Sequence, residues 1–406
     1  MVLRKVLLLG IVLLGFGKIQ ASTEQCSILV NGGLPDPQPL ILKQGHEKGF
    51  VYPNEVETKN IVLSKGESFR LACPGSKLEI QSPEFVDDAI ATCVGGTSFS
   101  IGRQSVVENF RDIRCSSYPK VVALGTSKTC PNGKEGEIGF SLSTGEFYRV
   151  IDICHNATLA HTTFAHAKIP AVIDAAQTGF PRISFRKGPF YRGLSMDSAY
   201  SRGNQRSTLA RILKSEALAE KYIPRTGETF LTRGHLVAKG DFIYGTQQRA
   251  TFFYANTVPT WNTVNSGNWM IMEADVKTYA IRNKVDLDVY VGSHGILTLP
   301  NATGQKQELH LHVTDRITGV PIPRTLFKVV YDSARKRGVV FLTANNPFLQ
   351  SVPREYVICK DVCDEIKYIS WKATKLESGF SYCCEIDDFR HAFPGLPGFE
   401  TVGLLV

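Results

Sequence analysis

The sequence has little of what usually assigns a chain at a glance. Beyond its first 21 residues no stretch is long and apolar enough to span a membrane, so a multi-spanning helical protein is excluded; no stable membrane association is expected, an uncleaved N-terminal anchor being the rival reading. There is no internal repeat and no low-complexity tract, which excludes solenoids and propellers. Strands and helices do not alternate regularly, so a doubly wound parallel sheet is not indicated. A tight metal-ligand spacing is lacking among His155, His161 and His166. No cysteine lies between Cys154 and Cys359.

What is present begins with an expected secretory signal at residues 1–21. Arg4 and Lys5 precede an apolar run from Val6 to Phe16, and Ile19-Gln20-Ala21 offers a small residue at the cut. Removing it takes Arg4, Lys5 and Lys18 and lowers the formal charge from +8 to +5, a mildly basic balance that suits a polyanionic partner without proving one. All ten cysteines remain, and an even count behind a signal favours disulfides and a secreted, extracellular protein. Zinc at Cys359, Cys363, Cys383 and Cys384 is the sharper alternative, but the adjacent Cys383-Cys384 fits it poorly. Asn156-Ala-Thr158 and Asn301-Ala-Thr303 are acceptor sequences for glycosylation, which makes a glycoprotein with both loops at the surface.

The chain divides into two units. Residues 22–145 read as short strands between Pro, Gly, Ser and Asp turns: Val51-Tyr-Pro, Asn60-Ile-Val-Leu, Ser68-Phe-Arg-Leu, Leu78-Glu-Ile and Ser98-Phe-Ser-Ile. This predicts a small β-rich domain tied by disulfides. Residues 146–406 mix strands with a few helices, so the fold class is α+β. Ser207 is read as the cap of a helix through Leu209, Ile212, Leu213 and Tyr222 that Pro224 stops. Phe230 to Leu236 reads as a strand, and Asn265 opens a helix through Met270, Ala274, Val276 and Ile281. The later runs from Val285, Leu309, Leu326 and Gly338 read as strands with one wet face.

Three residues carry the chemistry. His235 titrates in the range of a general base, and Gly234 before it permits an unusual backbone path. Asn265 offers a hard oxygen of the kind magnesium takes. Glu273, eight residues on, stays broadly on the same helix face at 100° per residue and holds water of a cation's shell. The plainer reading makes Asn265 a helix N-cap and Glu273 a solvent-facing residue. Upstream, Arg182, Arg186, Lys187 and Arg192 lie among Phe180, Phe185, Phe190 and Tyr191. With Lys239 and Arg249 they make candidate phosphate contacts, or else a solvated basic face over a core of aromatics. His310 and His312 belong on a wet strand face, and His294 borders the cleft at most.

Thr232-Arg-Gly-His-Leu-Val-Ala-Lys-Gly-Asp-Phe, Phe253-Tyr-Ala-Asn-Thr-Val-Pro and Val264-Asn-Ser-Gly-Asn-Trp with Glu273 resemble the DNA/RNA non-specific endonucleases, in particular the secreted arthropod branch with crustacean DNases and insect double-stranded ribonucleases. The resemblance spans roughly residues 150–400. It implies a ββα-metal nuclease domain with a central antiparallel sheet, His235 as general base, Arg233 beside it, Asn256 supporting the site, Asn265 as direct magnesium ligand and Glu273 binding through water. Manganese is the alternative ion. It also implies endonucleolytic hydrolysis of DNA and/or RNA, double- or single-stranded, to 5′-phosphate ends. Two positions depart from the family pattern: Thr232 stands for its usual Asp, and Thr260 for a common Gln. The competing expectations are a non-catalytic nucleic-acid-binding protein and a phosphodiesterase for small substrates. The sequence sets no oligomeric state.

Overall fold

The computed structural model describes residues 24–406, apart from 46–47, 56, 81–85, 103–105, 192 and 315–317. The expected signal and Arg192 lie outside the described residues. The architecture is α+β, built on a nine-stranded sheet in the order Val122–Cys130, Gly133–Ser141, Phe147–Asn156, His161–Ile169, Leu287–Ile296, Pro323–Asp332, Arg337–Ala344 and Ser381–Cys384. Every neighbouring pair in that path is antiparallel. The ninth strand, Gly403–Leu404, runs parallel to the start of Arg337–Ala344. Chain order is kept in space, except that one long excursion between His161–Ile169 and Leu287–Ile296 carries most of the helices and a separate two-stranded hairpin.

The sheet therefore starts at Val122, upstream of residue 146, where the sequence pattern places the start of the second unit. Its central strands also differ from the expectation of one wet face. Pro323–Asp332 and Arg337–Ala344 are buried almost throughout. One face joins the main core around Val330, Val339 and Phe341. The other is covered by the helix Ile386–Ala392 and the segment just beyond it, where Phe327 packs 5.0 Å from Phe389 and 4.7 Å from Phe393. A strand covered on both sides needs apolar residues at consecutive positions, as Phe327 and Val329-Val330 supply.

The N-terminal residues form a five-stranded sheet (Leu40–Leu42, Ser68–Ala72, Asp88–Gly95, Ser98–Ile101 and Val106–Asn109) with two small ladders beside it. Phe69, Phe99 and Phe110 fill its core at ring separations of 5.4–5.8 Å. Disulfides Cys26–Cys93 and Cys73–Cys115 close it. Cys130–Cys154 staples the large sheet, and Cys359–Cys384 and Cys363–Cys383 tie the C-terminal segment to it. No cysteine is left for zinc. The two parts are joined by polar and aromatic contacts: Tyr244 donates to the Val51 carbonyl, Gln247 donates to the Tyr52 hydroxyl at 2.8 Å, and the Tyr52 and Tyr244 rings stack at 5.9 Å.

Three local expectations change. Ser201, not Ser207, caps the first helix, Arg202–Leu213, and Lys214 in the left-handed region ends it. A second helix, Glu216–Tyr222, starts afresh with Ser215 as its cap. The run from Leu309 to Val313 is no strand: it makes only isolated bridges, although Leu309 and Leu311 are buried as the alternation required. Among the described residues, no helix is long and apolar enough to cross a membrane.

Candidate active site

The hairpin Leu231–His235 with Thr257–Trp261 presents the candidate base, in a register that pairs His235 with Thr257 and Gly234 with Val258. Alternation along the strand puts Arg233 and His235 on one face. Phe185 lies against both, 5.2 Å from the imidazole and 5.8 Å from the guanidinium carbon. The backbone at Gly234 is that of an ordinary strand, so the expected unusual path is not the reason for glycine. A Cβ there would lie 2.3 Å from Thr260 Oγ1. Glycine lets the two strands close over the buried Thr260 side chain.

Beyond His235 the chain is held by Asn256, which is fully buried. Its Oδ1 accepts from Val237 N–H at 3.0 Å, and its Nδ2 donates to the carbonyls of Val237 at 2.9 Å and Thr251 at 3.1 Å. These bonds fix the exit of the strand that carries the base. Arg233 sits among Phe185, Tyr200 and Tyr254, donates to the Tyr254 hydroxyl at 3.0 Å and pairs with Asp197 at 3.4 Å.

Asn265 does not stand on a regular helix with Glu273. A single turn, Asn262–Val264, runs into a π-type turn, Asn265–Trp269, that breaks at Gly267 (φ −97°, ψ −126°) before the regular helix Met270–Asn283. The 100° per residue arithmetic therefore fails between the two positions. Such bulges are frequent at functional sites. A Cβ at Gly267 would meet Ser378 at 2.9 Å, so the bulge is packed directly on the C-terminal segment. Asn268 locks it there: its amide donates to the carbonyls of Lys372 and Gly379 and accepts from Lys372 N–H. Asn265 has helical φ and ψ (−61°, −41°) and follows directly on the turn Asn262–Val264, so it lies inside the helical run, which removes the N-cap reading. Its amide is half-buried and makes no side-chain hydrogen bond among the described residues.

His235 and Glu273 share one electrostatic neighbourhood. Burial, then the nearby Arg182, push the His235 imidazole down to about 3, with Lys239 adding to the fall and Asp241 opposing it. Its Nε2 is buried without a partner among the described residues. Burial pushes Glu273 up to about 7; Lys328 and Lys277 oppose the rise, and Asp241 adds to it. The turn Lys239–Asp241, just past the base, meets the helix directly: a Cβ on Gly240 would lie 3.0 Å from Lys277 Nζ. Below that turn lies a fully buried ion pair, Lys328 Nζ to Asp241 Oδ2 at 3.1 Å.

The basic residues divide. Arg182 is exposed beside His235 and Lys239. Lys239 donates to the Phe180 carbonyl at 2.5 Å and, with Gly240, Ala274 and Lys277, lines a cavity of about 630 Å³. Lys187 is exposed. Arg186 donates to the carbonyls of Val121 and Arg249 and stacks 4.1 Å over Phe253, so its guanidinium is committed to packing. Arg249 lies 4.4 Å over Tyr118 of the N-terminal part. His155 and His161 are kept as neutral imidazoles by burial, and His166 is clamped between Asp152 and Asp288. Sequence reasoning missed Asp241, Lys328, Lys277 and Asn268; only Asp241 and Asn268 lay inside motifs already singled out.

One further cluster of metal-type donors, Asp361, Cys363 and Cys383, has its ligand atoms within 4.8 Å. Its two sulfurs form a disulfide, which removes the thiolates a metal would take. Asp361 Oδ1 instead accepts from the backbone N–H groups of Cys363 and Cys383.

The hairpin that carries Arg233 and His235, followed in the chain by the bulged turn of Asn265 and the helix of Glu273, is an arrangement of the ββα-metal nuclease type. The chain belongs to the DNA/RNA non-specific endonuclease family, whose model matches residues 132–389. Its relatives include a salivary endonuclease of Lutzomyia longipalpis, 25% identical over 360 residues that cover 87% of this chain and 79% of the relative. The salivary protein Tsal2A of Glossina morsitans morsitans is 25% identical over 411 residues, covering 98% and 99%. Tsal1 of the same fly is 22% identical over 402 residues, covering 96% of each chain. The match to Tsal2A runs through the N-terminal residues as well, so the likeness extends along the full length.

Proposed function

We propose that this protein is a secreted, magnesium-dependent endonuclease that hydrolyses phosphodiester bonds of DNA and/or RNA with little sequence preference, leaving 5′-phosphate ends. The observation that carries the reading is the convergence of His235 and Glu273 on the Lys239–Asp241 turn, which meets the helix of Glu273 at Lys277, with the unpartnered Asn265 amide in the bulged turn just before that helix. The donor set fits magnesium: an amide oxygen and a carboxylate are hard ligands, and half-burial leaves room for the water that this ion retains. Manganese takes the same oxygens.

His235 is neutral throughout the physiological range and ready to take a proton from the attacking water. The charge of a bound phosphate would raise its low basicity, because a nearby anion favours the imidazolium. Arg182 and Arg233 supply positive charge on the same side, with charge-assisted hydrogen bonds to phosphate oxygens. Lys187 and Lys239 extend that surface, and contacts to phosphate give register without reading sequence. Asn265 would hold the ion directly and Glu273 its hydration water. When bound, the ion stabilises the charge that builds up on the phosphate and the leaving oxygen. Because water is the nucleophile, no 2′-hydroxyl is needed, and DNA and RNA are both substrates chemically.

The protein is extracellular: its five disulfides persist in oxidising compartments, and the relatives named above are salivary proteins. The test is cleavage of long DNA and RNA, with and without EDTA, by wild type and His235→Ala. Metal-dependent cutting that falls by at least about a hundredfold in the variant, with an unchanged circular dichroism spectrum, is expected. Binding without any metal-dependent cutting would favour a non-catalytic binder, and full activity of the folded variant would remove His235 from its role.

A further inference from the structure

The buried pair under the site has a feature that stability does not explain. Asp241 and Lys328 are both fully inaccessible. Lys328 stands in the middle of the sheet, opposite Val291 on one side and Phe341 on the other. It holds Asp241 Oδ2 at 3.1 Å, while Asp241 Oδ1, also buried, has no hydrogen-bond partner among the described residues. Two charges removed from water are often no more stabilising than an apolar pair of the same volume. A carboxylate oxygen left without a donor makes the arrangement worse, by the cost of a buried unsatisfied acceptor. In folded proteins such an orphan is normally met by a water or an ion-bound group. The turn that carries Asp241 meets the helix of Glu273, where a Cβ on Gly240 would lie 3.0 Å from Lys277 Nζ, and the Asp241 charge acts on both His235 and Glu273.

We propose that Asp241, locked by Lys328, is a positioning carboxylate of the cation site. Its free Oδ1 accepts a hydrogen bond from a water in the hydration shell of the ion that Asn265 and Glu273 hold. Lys328, bonded to Oδ2, fixes the rotamer of Asp241, so that the other oxygen stays aimed at the site. Two acidic side chains then share the shell: Glu273 from the helix and Asp241 from the turn after the base. Magnesium, which keeps several waters and tolerates little distortion of its octahedron, is the ion that gains most from such outer hydrogen bonds. The inference rests on the proposed nuclease reading.

The experiment is calorimetric titration of MgCl2 alone into the full-length protein, with urea unfolding of each variant alongside. Asp241→Asn should weaken magnesium binding by about 10- to 100-fold. Lys328→Met alone strands a buried carboxylate and should lose much of its stability. The double variant Asp241→Asn/Lys328→Met removes both charges and should recover stability, yet keep the weakened magnesium affinity. A purely structural pair predicts the opposite, with affinity returning alongside stability. Wild-type magnesium affinity in the folded double variant therefore overturns the inference while leaving the nuclease reading intact. A wild type that takes up no magnesium and cuts nothing overturns both.

Discussion

At the scale of single residues, the site depends on side chains that do no chemistry. Asn256 spends its whole amide on the backbone around residues 237 and 251, so Asn256→Ala leaves buried donors and acceptors unmet. The expected cost is about 2 kcal/mol or more, read as a lower urea midpoint, with cleavage reduced even at temperatures where the variant stays folded. An unchanged midpoint would show that water replaces the amide. His235, Asn265 and Glu273 stood out in the sequence through the family resemblance of the motifs that hold them, since each residue type alone has a plainer structural reading. Gly234 was legible only as a glycine: the reason for it, the Thr260 side chain across the hairpin, is a tertiary contact. Asp241 and Lys328 were invisible as a pair because they lie 87 positions apart, and a lone lysine in an apolar strand reads as an edge or an error.

At the scale of elements, the strand that carries His235 followed its sequence closely, lying one residue inside the expected bounds at each end, while its hairpin partner Thr257–Trp261 was not read as a strand. The helix after it did not. Its break at Gly267 depends on Ser378 and on the Asn268 bonds to residues 372 and 379, more than a hundred positions away, and no local pattern records them. The same holds for the first helix pair, where Ser201 and Ser215, on either side of the assumed cap, do the capping. The regular helix Met270–Asn283 ends at Lys284, which adopts φ 53°, a conformation that costs a side-chain-bearing residue free energy. Lys284→Gly should therefore stabilise the protein by about 0.5–1 kcal/mol. Chemical unfolding measures this directly, and a loss of stability would mean that the lysine side chain makes a contact worth more than the strain.

At the scale of the whole molecule, stability should depend on acidity in a defined direction. Burial holds His155 and His161 at about 4 and His235 at about 3, and lowers His294 and His310 as well, whereas the aspartates flanking His166 raise it. For the lowered groups the unfolded chain binds protons that the folded one refuses below about 6.5. Their contribution is complete above that value and is lost as pH falls toward 4. His166 works the other way, adding stability below about 6.5 and losing it as pH rises through its folded value. Glu273, raised to about 7, likewise gains stability as pH falls, but the three large falls at His155, His161 and His235 outweigh it and His166, so the urea midpoint should be lower at pH 5 than at pH 7.5. A midpoint that rises would mean that His166 and Glu273 outweigh the rest.

The nine-stranded sheet bears on how this chain can be cut. Residues 122–141 supply its first two strands, and the next, Phe147–Asn156, is hydrogen-bonded to the second of them along most of its length. A fragment that begins at residue 146 would strip that strand of its neighbour and leave a long row of naked amides and carbonyls, an invitation to pair with another molecule. Light scattering on such a fragment, beside one that begins at residue 120, should find the shorter piece self-associating. Anyone seeking a minimal folded unit would do better to keep the upstream pair of strands than to trim at the apparent seam.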